Sequence, residues 1–387
     1  MAITPPDSNV IPMRPAPQRG LTHTTVVHAV ADDDRLIEVA PVIAALERRG
    51  GFRQVVVHAG SAPAGKSATD ELTCVHRWLG MGGGTPAERT AATLTAFESV
   101  LFEEQPDLVL VCGDDDSALA AALAAAKLTI AVAHLGSGMR SWDWTRPEEI
   151  NRSVIDRLSD ALFTSFSEAN DNLAHEGVPV GRVHAVGSTR IDVLRRCEAH
   201  ARRRAAWRLH GVEEGGYTLV ALRRGDSLRA PGRLEQLASA LGELTRNCDV
   251  LLLGHAATRD VLESERSTAL LSAAGVRCVD AAGYVETLSL ECGAGAIVTD
   301  SCSVQEEATA LGIRCYTLLD ATPSTVTLTH GTNVLLGEDA AGLRAALPAG
   351  GDPTPAAIPL WDGRAAERVA DVLVANFTLS TVERQTR

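Results

Sequence analysis

Residues 108–112, Leu-Val-Leu-Val-Cys, limit what this chain can fold into more than any other stretch. Successive side chains of a strand point to opposite faces, so five apolar residues in a row leave no face for water. Strands of this kind belong to parallel sheets covered by helices on both sides. The run stops at Gly-Asp-Asp-Asp-Ser, 113–117, a polar turn at which a helix can begin.

The same alternation recurs along the chain. Thr24–Val30 reads as a strand, 32–34 as a polar turn, and 36–48 as a helix with Pro41 near its first turn or at a kink. A strand over 53–58, a Gly/Ser/Pro-rich loop over 60–66 and a helix spaced on Leu94, Phe97 and Leu101 follow. After the strand 108–112 come a helix over 118–126, a strand over 129–133, a long loop carrying His134 and Arg140, and a helix from Glu148. A strongly basic helical stretch over 195–208 then breaks the pattern and reads as a hinge. Beyond it the spacing predicts strands over 217–222, 250–253, 276–279, 296–298 and 315–319. Helices fall on Leu234, Leu237, Leu241 and Leu244, over 285–292, and after Asp362. The expected fold is α/β, two Rossmann-like doubly wound parallel-sheet domains facing a cleft into which their strands' carboxyl ends point.

At 387 residues the chain is too long for one core and suits two domains. The expected division is a disordered tail over 1–20, with prolines at 5, 6, 12, 15 and 17, domains over 21–200 and 201–372, and a tail over 373–387. Residues 346–359 are rich in Pro, Gly and Ala. A net charge of -13 argues against nucleic acid as a partner, and no apolar run is long enough to span a bilayer. The eight cysteines are scattered, mostly in apolar runs and without zinc-ligand spacing, which fits buried thiols in a reducing cytoplasm. No metal site and no cofactor are expected.

Polar turns follow the strands, and each has a structural and a functional reading. The turn 299–303 leads into a helix whose first-turn N–H groups favour an anion, with Ser301 and Ser303 as added donors and Cys302 between them. Glu306 and Glu307 lie too deep in that helix to cap it, which leaves one of them for a ribose hydroxyl pair. Asp114 can cap a helix, His134 and His255 can be satisfied loop histidines, and Arg223 and Arg224 can be a solvated face. Their coincidence at strand ends points to a site.

Several motifs together resemble the non-hydrolysing UDP-N-acetylglucosamine 2-epimerase family, which shares the two-Rossmann architecture of GT-B glycosyltransferases. Pro106-Asp-Leu-Val-Leu-Val-Cys-Gly-Asp114 resembles its strand ending in Gly-Asp, and Pro147-Glu-Glu-Ile-Asn-Arg152 matches its Pro-Glu-Glu-x-Asn-Arg. His134, Gly138 and Arg140 fit its Gly-His-x-Glu-Ala-Gly-x-Arg loop. Thr299-Asp-Ser-Cys-Ser-Val-Gln-Glu-Glu-Ala308 resembles its nucleotide-binding turn, and His255, 331–333 and 361–363 have counterparts. The resemblance implies inversion at C2 of a UDP-sugar by elimination and re-addition of UDP. It gives Asp114, Glu148 and Arg140 catalytic roles. It places His134, Arg152, Arg223, Arg224, His255, Ser301, Cys302, Ser303 and Glu307 around a UDP-N-acetylhexosamine, and leaves room for a homodimer.

Three family positions differ. The arginine of Gly-Thr-Arg-Pro-Glu falls on Asp33, the loop glutamate on Gly136, and the histidine of Gly-His-Arg-Arg-Glu within Leu222-Arg223-Arg224-Gly225-Asp226. The loop Arg-x-x-Thr-Glu-Arg-Pro-Glu is replaced by Leu-Asp-Ala-Thr-Pro-Ser-Thr-Val, 319–326. A carboxylate where a cation faced a diphosphate turns attraction into a repulsion of roughly 1 to 4 kcal/mol at ~4 Å. Three readings follow: an eliminase with Arg223 or Arg224 in place of the histidine, a UDP-sugar-dependent glycosyltransferase, or a binding protein without chemistry. Under the second, Asp32, Asp33, Asp34, Asp115 and Asp116 would hold a cationic acceptor.

Overall fold

The computed structural model describes residues 23–61, 75–81, 84–255, 258–280, 283–338, 342–343 and 356–377. Its strands pair in parallel throughout and form two sheets. The first contains β1 (Thr24–Val30), β2 (Phe52–His58), β3 (Arg77–Trp78), β4 (Leu108–Cys112), β5 (Ala131–Leu135), β6 (Ala161–Thr164) and β7 (Val183–Ala185), in the order β3-β2-β1-β4-β5-β6-β7. The second contains β8 (Tyr217–Ala221), β9 (Asp249–Gly254), β10 (Arg277–Asp280), β11 (Ala296–Thr299), β12 (Arg314–Thr317) and β13 (Asn333–Leu335), in the order β10-β9-β8-β11-β12-β13. In each, the order reverses at one place, between β1 and β4 and between β8 and β11. Helices leave such a switch point on opposite sides, so a crevice opens at the strands' carboxyl ends.

The apolar run that predicted a two-faced strand is one. Every residue of β4 is at most 1% exposed. On one face of the first sheet pack the helices Asp33–Arg49 and Ala365–Phe377, through Leu36, Val39, Leu46, Val369 and Leu373. On the other lie Pro86–Glu104 and Asp116–Lys127, through Phe97, Leu101, Ala121 and Ala125. The second sheet is covered likewise, by Arg233–Leu244 on one face and by Trp207, Leu290, Val304 and Ala308 on the other.

The chain forms two units, Val193–Ile358 and the remainder. This differs from division at 200/201 and 372/373, because the last helix returns to the first unit and buries its apolar stripe against Asp33–Arg49. Residues 373–377 therefore end a helix, where a tail was expected. The first unit ends inside the basic helix Thr189–Arg204, which continues unbroken across the boundary. The expected strand 129–133 begins two residues later, because Thr129 takes a left-handed φ of 58°. His134 is thereby a buried strand residue and not a loop residue. Pro41 lies well inside its helix. The helix after β11 starts at Cys302, four residues ahead of Glu306. The tail 1–20, loop residues 62–66, Cys74, residues 346–355 and those beyond Phe377 lie outside the described residues. Cys278 is exposed, against the expectation of buried thiols, whereas Cys112, Cys292 and Cys315 are buried. Among the described residues no helix is long and apolar enough to cross a membrane.

Leu373 is fully buried in the core that the last helix completes. Leu373→Ala is expected to cost about 2–5 kcal/mol, measured by denaturant unfolding of the purified protein.

Candidate active site

In the first unit, the switch point brings the turn after β1 against the turn after β4. Asp32 caps the helix Asp33–Arg49, its Oδ1 accepting from Arg35 N at 2.9 Å. Asp115 caps the helix Asp116–Lys127, accepting from Ser117 N at 2.8 Å and Ala118 N at 3.0 Å. The acidic residues look unbalanced in sequence but meet arginines in space. Arg35 Nη2 donates to Asp114 at 2.9 Å, Arg89 Nη2 to Asp116 at 3.0 Å, and Arg190 to Asp34. Gly113, at φ 99°, lies under Arg35, where a Cβ would stand 2.5 Å from Nε. Among the described residues no three or more of His, Cys, Asp and Glu are grouped to hold a metal.

The helix Pro147–Leu158 closes on the same turn. Arg152 bridges Asp114 and Glu149, and Asn151 Nδ2 donates to the Asp114 carbonyl at 3.0 Å. Glu149 is fully buried and accepts from Ser141 N at 3.0 Å, Ser141 Oγ at 2.8 Å and Trp142 N at 3.0 Å. Burial would raise this carboxyl, but Arg152 and the Ser141 bonds hold it below its ordinary range. Its neighbour Glu148 is half-buried, and its Oε2 is a buried atom with no hydrogen-bond partner among the described residues. The two adjacent glutamates thus differ: one locks the loop to the helix, and the other keeps a carboxylate oxygen unspent. Spacing hinted at the first role, because Glu149 and Arg152 stand three apart on a helix.

Behind this layer, His134 Nδ1 meets Asp156 Oδ1 at 2.6 Å and His134 Nε2 meets the Gly113 carbonyl at 3.1 Å. Arg140, fully buried, pairs with Asp156 at 2.7 Å and forks onto Glu176 at 2.7 and 2.8 Å. Burial pushes the Asp156 carboxyl up, but its bonds to His134 and Arg140 outweigh this and hold it low. His134 and Arg140 therefore brace the β5 loop from inside the unit; Arg140's guanidinium is committed to protein carboxylates. Gly136 stands where the family's loop glutamate falls, with φ 83°.

In the second unit, Asp300 follows β11 and accepts the N–H groups of Arg223 at 2.7 Å and Arg224 at 3.1 Å, tying the turn after β8 to the turn after β11. Burial raises its carboxyl despite these bonds. Ser301 is the N-cap of Cys302–Leu311 but makes no side-chain capping bond, and Ser303 sits in the first turn. Cys302 Sγ lies 3.8 Å from Thr322 Oγ1. Arg223 and His255 line one small pocket with Leu253, Thr287 and Val304. Glu307, buried, accepts from the Tyr284 hydroxyl at 2.8 Å, and Glu306 accepts from Ser324 at 3.2 Å. Tyr284 has no sequence signal as a partner, being 23 residues away.

Two Rossmann-like units of the GT-B type, each with polar turns gathered at its switch point, define the class. A sequence model of the family described as UDP-N-acetylglucosamine 2-epimerase matches residues 44–374, and the chain belongs to that family of isomerases. It is 34% identical over 316 residues to the UDP-N-acetylglucosamine 2-epimerase of Methanocaldococcus jannaschii, covering 79% of this chain and 86% of that one. It is 37% identical over 262 residues to the UDP-2,3-diacetamido-2,3-dideoxy-D-glucuronate 2-epimerase of Pseudomonas aeruginosa, covering 67% and 72%. The crystal structure of the M. jannaschii UDP-GlcNAc 2-epimerase with UDP-GlcNAc and UDP superposes with a TM-score of 0.83 at 29% identity, covering 91% of this chain and all (100%) of that one.

Burial, and then the facing Asp32 carboxylate, push Asp115 up to about 6. A folded value above the unfolded one, ~3.9, means that the stability Asp115 contributes is fully present below that value and is lost as pH rises through the folded value. Asparagine caps as well as aspartate and carries no charge. Asp115→Asn is therefore expected to gain about 1–3 kcal/mol over wild type at pH 8 and to match it at pH 4, read from denaturant midpoints.

Proposed function

We propose that the protein inverts C2 of a UDP-N-acetylhexosamine, with UDP-GlcNAc as the test substrate. The observation that carries this reading is the junction of the Gly-Asp turn with the Pro-Glu-Glu-x-Asn-Arg helix. Arg152 and Asn151 fasten Asp114 to the helix whose first turn bears Glu148 with its unpartnered oxygen. Inversion requires a proton to leave C2 on one face and return on the other, so two carriers are needed. Asp114 and Glu148 supply them. Removal of the C2 proton leaves its electron pair to form the C1–C2 double bond. The C1–O bond breaks towards UDP, giving a 2-acetamidoglucal; re-addition reverses these changes with the proton on the opposite face. Arg140 acts as a positioning residue, holding Asp156 and with it the loop before Ser141.

The nucleotide falls to the second unit. Ser301, Cys302 and Ser303 present a helix N-terminus to the diphosphate, and Arg223 or Arg224 takes the charge that the family's histidine would face as UDP departs. Glu307, oriented by Tyr284, accepts from the ribose hydroxyls. Of the six aspartates in the turns that would hold a cationic acceptor under the glycosyltransferase reading, Asp34, Asp114 and Asp116 are already paired with Arg190, with Arg35 and Arg152, and with Arg89, which favours the epimerase reading.

Incubation with UDP-GlcNAc in heavy water is expected to place deuterium at C2. Asp114→Asn and Glu148→Gln should each slow this by about 10²–10⁴-fold, followed by NMR. Substrate that stays unlabelled with enzyme shown to bind UDP rejects the proposal. UDP should bind more tightly than ADP or GDP, and Glu307→Ala should weaken it about tenfold in calorimetry, the effect of a lost charge-assisted bond.

A further inference from the structure

His58 ends β2 and is 5% exposed. Its Nδ1 accepts the Gly60 N–H at 2.9 Å, so the neutral ring carries its proton on Nε2. Two neighbours, Gly60 and Trp78, hold the ring. The Gly60 bond fixes its tilt, the Trp78 ring lies 4.4 Å away at 37°, and a Cβ at Gly60 would stand 2.9 Å from Cε1, so glycine lets the chain close over it. Burial lowers the imidazole's pKa and keeps it neutral near pH 7. Yet the Nε2–H, although buried, has no hydrogen-bond partner among the described residues. Asp33 Oδ1 is 3.8 Å from it, beyond a hydrogen bond, on a side chain that is 48% exposed.

A buried donor held by Gly60 and Trp78 and left unused is a binding group awaiting its acceptor. The chemistry of that acceptor is narrow. An anion would meet Asp32 and Asp33, and a cation would meet an N–H donor. A neutral group that accepts from Nε2 and donates to a carboxylate satisfies both, and a hydroxyl can bridge atoms 3.8 Å apart with two ordinary bonds of ~2.8 Å. We propose that His58 and Asp33 form a hydroxyl-binding pair that grips the sugar of the nucleotide sugar. The proposal rests on the nucleotide-sugar reading above and gives Asp33, at the family's arginine position, a function in place of the lost cation. The pair stands at the carboxyl ends of β1 and β2, beside the switch point that also carries Asp114.

The test is calorimetric titration of UDP and UDP-GlcNAc against the full chain, wild type and three variants. His58→Asn keeps an acceptor for Gly60 N–H in place of Nδ1 but removes the Nε2 donor; His58→Gln returns a donor near Nε2. UDP-GlcNAc affinity is expected to fall about fivefold to tenfold in His58→Asn and Asp33→Ala and to recover to within about threefold in His58→Gln, while UDP affinity stays within about twofold throughout. Unchanged UDP-GlcNAc affinity in both loss variants overturns the proposal. So does a parallel loss of UDP and UDP-GlcNAc affinity, which marks damage to the fold. Wild-type protein that binds UDP but not UDP-GlcNAc overturns the nucleotide-sugar reading itself, and with it this proposal.

Discussion

A parallel sheet sends all its strands in one direction, so every strand stops at the same edge. In this protein that single constraint decides where the chemistry can be. The turns after β1 and β4 meet because those strands are neighbours in space, although the helices Asp33–Arg49 and Pro86–Glu104 and the strands β2 and β3 lie between them in sequence. The turns after β8 and β11 meet for the same reason, and Asp300 joins them by accepting two backbone N–H groups of the opposite turn.

Charge then fixes what geometry has gathered. Arg152 is the central tie, since one guanidinium holds the strand-end Asp114 and the helical Glu149. A planar fork suits two carboxylates better than a lysine's point charge could. Beneath it, Asp156 does the converse, one carboxylate gathering His134 and Arg140. Such pairs contribute little net stability when compared with apolar packing, and their use here is to allow only one arrangement of the loops around Glu148.

Fold was legible in the chain because strands and helices are written locally. The apolar runs gave β1, β4 and β9 to within a residue or so, and the motifs marked the turns. Partnerships were not legible. That Asp34 faces Arg190, or Asp116 faces Arg89, depends on sheet order, and the acidic turns accordingly read as uncompensated. Starting the strand at Thr129, a good strand former, puts His134 in a loop; Thr129 adopts a left-handed φ instead, and the strand Ala131–Leu135 includes His134. His58 carries no signal in the sequence: its setting comes from a glycine two residues on and a tryptophan on another strand, and neither contact has a sequence signature.

The return of the last helix to the first unit has a consequence for how the chain is made. The second unit is one continuous segment, Val193–Ile358, and has all its elements as soon as that segment has left the ribosome. The first unit does not. Its sheet is finished by residue 185, but the face that Asp33–Arg49 covers lacks its second helix until Ala365–Phe377 is synthesised. At ~5–20 residues per second the interval is roughly ten to forty seconds. During synthesis the unit that begins first is therefore completed last, and the core around Val39 and Leu46 lacks Val369 and Leu373 in the meantime.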